Sequence, residues 1–293
     1  MRIDLHTHSD RSDGTLTPTD LVRHAAEVGI DVLAITDHDC VEGWNEAVEA
    51  AFDGRITLVR GIEISCRYVG QGVHLLAYLP DPAYPPLADE LQRVLDGRNS
   101  RLPAVLAKLR DLGVDIDIED VRAVSQDAAA TGRPHVADAL VRLGVVRDRD
   151  EAFDRFLGPR GPAYVDRYAA DLPTMIGMVR EAGGVSVVAH PWARRHDHSA
   201  LSLEGFAELQ EAGLVGLEAD HEDHHPEVRA ELRRIAKDLD LLVTGSSDFH
   251  GEGKTGHDLG CNTTAPEEYE RLLALAAESA EASGRAAPTV VVA

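Results

Sequence analysis

Short runs of Val, Ile and Leu alternate with stretches of helical spacing, and no other feature constrains the fold of this chain as much. Strand-like runs fall at residues 3–5, 31–36, 56–60, 73–78, 185–189, 215–219 and 241–245. Helical periodicity fills intervals between them, at about 21–28, 42–51, 175–182, 206–211 and 226–238. Thr17-Pro18-Thr19-Asp20 supplies a start for the first of these helices, and Gly29 supplies its stop. Strands that alternate with helices predict a parallel sheet with crossover connections. Seven such units in a chain of 293 residues predict a closed or nearly closed β/α barrel rather than a doubly wound sheet.

The alternation lapses between about residues 81 and 171. Asp81-Pro82-Ala83-Tyr84-Pro85-Pro86 opens the gap, and Leu91, Val94, Leu95, Leu102, Leu106 and Leu109 then recur at helical spacing. Residues 134–143 and 150–157 read as two more short helices. The expected organisation is a barrel made of residues 1–80 and 172–293, carrying a helical insertion over 81–171 that is small for independent stability. Residues 272–287 predict a terminal helix, and 289–293 an edge strand or a frayed tail.

The formal charge of -22 disfavours sequence-independent binding to long duplex nucleic acid or to an anionic membrane. It leaves an anionic substrate open, because bound cations invert the field locally. No run approaches 18 apolar residues, so no membrane-spanning helix is expected. Cys40, Cys66 and Cys261 are scattered without a C-x-x-C pair, which argues against a disulfide framework or a zinc ribbon and for a reducing compartment. With no secretion-signal pattern at the start, the cytoplasm is the expected location. The oligomeric state is not legible.

Placed on the barrel map, imidazoles and carboxylates recur at strand ends. In Ile3-Asp4-Leu5-His6-Thr7-His8, side chains two apart leave a strand on the same side. Asp13 lies in the loop that follows. Thr36-Asp37-His38-Asp39 ends the second strand, Gly61-Ile62-Glu63 the third, and His74 begins the fourth. Ala189-His190-Pro191 and Ser247-Asp248-Phe249-His250 follow two later strands. Barrel enzymes carry their chemistry at the carboxyl ends of strands. One such residue has a bland explanation as a solvated loop side chain; a whole rim of them does not. The donors are nitrogen and oxygen without thiolate, which suits Mn, Fe or Zn, Mn foremost and Mg least. They exceed what one ion can use and suffice for two or three if a carboxylate bridges. Multi-metal sites of this kind are typical of hydrolases acting on phosphate esters.

Taken together, H-x-H, T-D-H-D, G-x-E, the lone His74, A-H-P and S-D-x-H resemble the polymerase and histidinol phosphatase (PHP) family, from Arg2 to about Gly260. The resemblance implies a distorted (β/α)7 barrel with a helical cap, and a phosphoesterase with a trinuclear metal centre and a metal-bridging hydroxide. It implies His6, His8, Asp13, His38, Glu63, His74, His190, Asp248 and His250 as ligands. Glu63 would bridge two ions. His6, His8 and Asp248 would complete one of these, His74 and His190 the other. Asp13, His38 and His250 would hold the third. Asp248, His250 and His8 are the catalytic candidates.

Gly132-Arg133-Pro134-His135 opens a predicted helix, and an arginine at a helix N-terminus suits a phosphate. The Gly/Pro-rich run from Leu157 to Val165 presents Arg160 on a stiff backbone. Both segments resemble the PHP subfamily that removes the 3′-phosphate of nucleoside 3′,5′-bisphosphates and trims short oligoribonucleotides from the 5′ end. The resemblance implies Arg133, His135 and Arg160 as contacts to the second phosphate or the base. Trp192 either stacks on a base or packs under the cap. Arg194 and Arg195 either add phosphate contacts or are solvated. His221, His224 and His225 are expected behind the ligands or at the surface, and Lys254 is a further candidate for substrate phosphate. The expected substrate is a small phosphorylated nucleotide or a short oligoribonucleotide.

Other chemistries fail on the letters. A cysteine phosphatase needs C-x5-R, and Glu46, Gly72 and Glu267 stand where the arginine belongs. A P-loop needs Gly where Asp248 stands, and no G-x-S-x-G elbow occurs. Histidinol phosphatase and cyclic-phosphate phosphodiesterase remain as alternatives within the family, and a non-catalytic metal-binding or regulatory module as one outside enzymes.

Overall fold

The structure is a computed structural model and describes residues 1–125, 128–193, 198–285 and 290–292. Its sheet runs through β1 (Ile3–Asp4), β2 (Val32–Ile35), β3 (Thr57–Tyr68) and β4 (Gln71–Tyr78). The two-residue β5 (Ala170–Asp171) pairs with β3 and stands off this path. The sheet continues through β6 (Val185–Ala189), β7 (Gly216–Asp220) and β8 (Leu242–Gly245), in the spatial order β1-β2-β3-β4-β6-β7-β8. The two ends meet beyond β8, where Phe249 bridges Thr7 in parallel and the His8 N–H donates to the Phe249 carbonyl at 2.9 Å. The result is a nearly closed, seven-stranded barrel among the described residues.

Two expectations need correction. The sheet is not wholly parallel, because β4 runs antiparallel to both β3 and β6. Nor does the third strand end at Glu63; β3 continues to Tyr68 and turns back at once. Tyr68 pairs with Gln71, and the connecting Val69 and Gly70 both have positive φ (45° and 75°), the geometry of a two-residue hairpin turn.

Period-two alternation sorts the strands' side chains onto two faces. Leu33, Ile35, Leu58, Ile62, Ile64, Leu75 and Ala77 form one buried cluster with the surrounding helices. These include α1 (Pro18–Glu27), capped by the Thr17 side chain, and α2 (Trp44–Gly54). Val32, Ala34, Val59, Leu76, Tyr78 and Val187, on the alternate positions, form a second cluster. The C-terminal helix Pro266–Ser283 adds Tyr269, Leu272 and Ala276 to it. The tail returns to the sheet, where Val291 bridges Leu58.

Between β4 and β5 lie α3 (Pro85–Ser100), α4 (Leu102–Asp111), α5 (Ile118–Ser125), α6 (Arg133–Arg142) and α7 (Arg149–Ala152). A π-helical turn, Phe153–Leu157, follows α7. Leu87, Leu91 and Val94 of α3 join the barrel's cluster. A separate apolar cluster begins at Leu102 and includes Val105, Leu106, Leu109, Val121, Val136 and Leu140. Helix α5 was not anticipated from sequence, since Ile118, Val121 and Val124 are β-branched and weaken helical propensity. After β5 the chain resumes helix–strand alternation with α8 (Leu172–Glu181), α9 (Leu203–Ala212) and α10 (Pro226–Asp238). Among the described residues, no helix is long and apolar enough to cross a membrane.

Candidate metal centre

The fold brings all nine expected ligand residues to one mouth of the barrel. His6 and His8 follow β1 on either side of Thr7, which bridges Phe249. The chain beyond β2 runs alongside β3, where His38 bridges Glu63 in parallel. Alternation along β3 buries Ile62 and Ile64 among apolar side chains and turns Glu63 and Ser65 the other way. His74 lies near the start of β4, and because that strand is antiparallel its start shares the rim with its neighbours' ends. Its register partner is Ala189, which brings His190 alongside. His190 and Asp248 are held at positive φ (26° and 52°), a backbone region that costs a non-glycine residue about 1–2 kcal/mol. Strain of this kind clusters at functional sites.

Glu63 is the hub. Its carboxylate lies 2.8 Å from His74 Nδ1, 3.0 Å from His190 Nε2, 3.0 Å from His38 Nδ1, 3.2 Å from His8 Nε2 and 3.4 Å from His6 Nε2. Asp248 Oδ1 is 3.3 Å from His8 Nε2 and 3.5 Å from His6 Nε2. Asp13 Oδ1 is 3.3 Å from His250 Nε2, and its Oδ2 is 3.6 Å from His38 Nε2. The ligand atoms of His8, Asp13, His38 and His250 lie within 4.8 Å of one another, as do those of His6, His8 and Asp248. Glu63 joins two further such groups, one with His6 and His190, the other with His38 and His74.

Hydrogen bonding does not account for this packing. A neutral imidazole has one N–H to give, and a carboxylate takes only a few donors. Asp13 Oδ1 and His38 Nδ1 are buried and accept or donate no hydrogen bond, a costly arrangement unless a ligand satisfies them. His250 directs Nδ1 at the Asp248 carbonyl, 2.9 Å away, so Nδ1 carries the proton and Nε2 offers a lone pair toward Asp13. Burial pushes His74 and His250 down to about 4, which keeps them neutral and ligand-competent at neutral pH. Burial also works to raise the carboxylates, but their neighbours outweigh it. His38 holds Asp13 well below the ordinary range, and Lys254 and His6 do the same for Asp248. These nitrogen and oxygen donors fit divalent cations.

Sequence reasoning missed Glu218 and placed His221 too loosely. Glu218, buried on β7, faces His6 Nδ1 at 3.2 Å and accepts the His190 N–H at 2.9 Å. Its signal was an acid at an inward position of an apolar strand. His221 is buried, and its Nδ1 accepts the Asp223 N–H at 3.1 Å. Nε2 therefore carries the proton and donates to Asp248 Oδ2 at 3.1 Å. His221 orients Asp248 and has no lone pair to spare for a cation. Lys254 Nζ also touches Asp248. His224 is buried, bonded to the Ala219 carbonyl, and His225 is exposed.

The pocket above the cluster is walled by Arg98, Arg101, Arg133, Arg149, Arg167 and Lys254. Arg133 lies over the Phe153 and Tyr164 rings and gives one N–H to the Leu157 carbonyl at 2.8 Å. Burial pushes the Arg101 pKa down, and the neighbouring Arg133, Arg167 and Arg98 add to this. The Nε atoms of Arg101 and Arg133 are buried without a partner. Of the other expected substrate contacts, His135 is buried and takes the Gly132 N–H at 3.1 Å, fixing the start of α6. Arg160 is exposed and does not line the pocket. Trp192 packs in the core, its N–H bound to the Leu201 carbonyl at 3.1 Å and its ring stacked on His198. Arg194 and Arg195 lie outside the described residues.

Comparison with known proteins finds relatives of this chain along most of its length. The PHP domain family matches residues 4–107. The 3′,5′-nucleoside bisphosphate phosphatase of Chromobacterium violaceum is 34% identical over 265 residues, 90% of this chain and 92% of that protein. The 5′-3′ exoribonuclease of Haemophilus influenzae is 35% identical over 249 residues, 85% and 90% of the two chains. A solved structure of a candidate metal-dependent phosphoesterase from Bifidobacterium adolescentis superposes with a TM-score of 0.89 at 35% identity, covering 93% of this chain and 96% of that one. Fold and site thus define a metal-dependent phosphoesterase. The chain belongs to the PHP family.

Proposed function

We propose that this chain removes the 3′-phosphate of nucleoside 3′,5′-bisphosphates and trims short oligoribonucleotides from the 5′ end, with three divalent cations, Mn foremost. His6, His8 and Asp248 would hold one cation, His74 and His190 a second, with Glu63 shared between them. Asp13, His38 and His250 would hold the third. Cations so held supply a nucleophile from water at neutral pH and neutralise charge on the phosphoryl oxygens.

The protein's own groups do the rest. His221 holds Asp248 through its Nε2 proton, and Glu218 holds His6 so that Nε2 faces the cluster; outer partners of this kind fix ligand orientation. Arg101 and Arg133 offer desolvated guanidiniums that form no ion pair with a carboxylate among the described residues, a setting that favours a phosphate. The single observation that carries the proposal is this opposition, within one pocket, of a nine-residue ligand cluster and an arginine wall. A substrate with two phosphates spans both. The insertion over 81–171, whose own core starts at Leu102, acts in this reading as the cap that excludes water from the reaction.

Release of phosphate from adenosine 3′,5′-bisphosphate by the Mn-loaded protein tests the proposal, with histidinol phosphate and a cyclic phosphate as competitors. Arg133→Ala should raise KM for the bisphosphate by about tenfold, the loss of one charge-assisted contact, with little change for an aryl phosphate. Equal effects on both would refute the role of the wall. Bound metal without turnover of any phosphoester would indicate a non-catalytic module.

A further inference from the structure

We infer that Arg149, carried by the cap, is a positioning residue for the subsite formed by Asp13, His38 and His250, so that barrel and cap build this subsite jointly. The inference rests on reading that cluster as cation-binding. Arg149 gives Nε and Nη2 to the two oxygens of Asp138, each at 2.6 Å. This fork fixes the guanidinium plane. The remaining Nη1 donates to the Asp13 carbonyl at 3.0 Å. A side chain in the cap thus grips the backbone of a residue whose carboxylate faces His250 and His38.

The same guanidinium packs against the second loop of the subsite. A Cβ added at Gly253 would lie 2.3 Å from Arg149 Nη1, so only the bare glycine backbone admits the arginine there. Gly253 belongs to the 3-10 turn Gly251–Gly253 that directly follows His250. The two loops are already tied, since the Thr15 N–H donates to the His250 carbonyl at 3.2 Å. Arg149 sits at their junction. The cap touches the first loop once more, where the Ala129 N–H donates to the Arg11 carbonyl at 3.0 Å. Three of the remaining ligands are backed from within the barrel: Glu218 supports His6 and His190, and His221 supports Asp248. Arg149 therefore links cap docking to this subsite.

Calorimetric titration of metal-free protein with Mn, together with elemental analysis after dialysis, tests this without reference to turnover. In the intact protein three Mn should bind. Arg149→Met should weaken one of the three by about 10- to 100-fold, the usual effect of removing an outer partner, and leave two unchanged. Its kcat should fall at limiting Mn and recover in excess Mn, and Arg149→Lys should restore part of the lost affinity. Gly253→Ala, which displaces the guanidinium without removing its charge, should shift the same site in the same direction, and carries the test alone if Arg149→Met does not fold. Full Mn affinity at every site in both variants, with only KM raised, would overturn the inference and make Arg149 a substrate contact. Simultaneous weakening of all sites in a folded variant would overturn it as well. Failure of the intact protein to bind Mn would instead refute the cation reading itself.

Discussion

Asp39 stands next to His38 at a φ of 58°, buried, with Arg98 from the insertion as its counter-ion. The guanidinium donates to Asp39 Oδ2 from Nε at 3.0 Å and from Nη2 at 2.7 Å, and Nη2 also reaches Ser65 Oγ at 2.9 Å. Removing one partner of such a pair strands a buried charge, at a cost of about 3–5 kcal/mol. Arg98→Met should lower stability to urea by that amount, and adding Asp39→Asn should recover part of the loss. A neutral Arg98→Met would mean that the pair holds nothing in place. At this scale the sequence revealed residues that sit in strand-end motifs and concealed those that act through space. The nine candidate ligands each follow or open an apolar run, so their positions could be read. Arg98 and Arg149 carry no local pattern, and a lone arginine is most often a solvated surface residue. Only folding sets Arg98 beside Asp39 or Arg149 beside Asp13.

The hairpin of β3 and β4 is the element that departs from a repeating β/α plan. It puts Glu63 in mid-strand and lets His74 reach the rim from the beginning of a strand. The usual hairpin signature is Asn-Gly, since both turn positions need positive φ. Here the first position is Val69, 72% exposed, a β-branched residue in a region it disfavours. That substitution hid the hairpin from sequence reading. It also leaves strain to relieve: Val69→Asn should stabilise the protein by about 1 kcal/mol in thermal or urea unfolding, with kcat and KM unchanged. Destabilisation would show that Val69 makes packing contacts that offset its backbone cost. Apart from the two-residue β5, which was not anticipated, the remaining strands were legible to within about two residues, as their β-branched runs are bounded by glycine, proline and capping residues.

As a whole, the molecule sets a basic pocket into a chain of formal charge -22. The five arginines of the wall lie between β4 and β5, while the acids and imidazoles of the cluster come from the barrel. The alternation of strands and helices made the barrel legible, and its lapse marked the run of helices between β4 and β5. The edge of the separate core at Leu102 was not legible, because α3 has the same helical spacing as α4 yet packs on the barrel. The account depends on the mouth of that barrel holding a cluster of cations. Anomalous diffraction from crystals grown with Mn, at energies on either side of the Mn edge, measures this most directly. The prediction is three Mn peaks inside the ring of nine side chains, neighbouring peaks about 4 Å apart, with Glu63 between two of them. An empty ring in Mn-replete crystals, or Mn bound only elsewhere on the molecule, would contradict it.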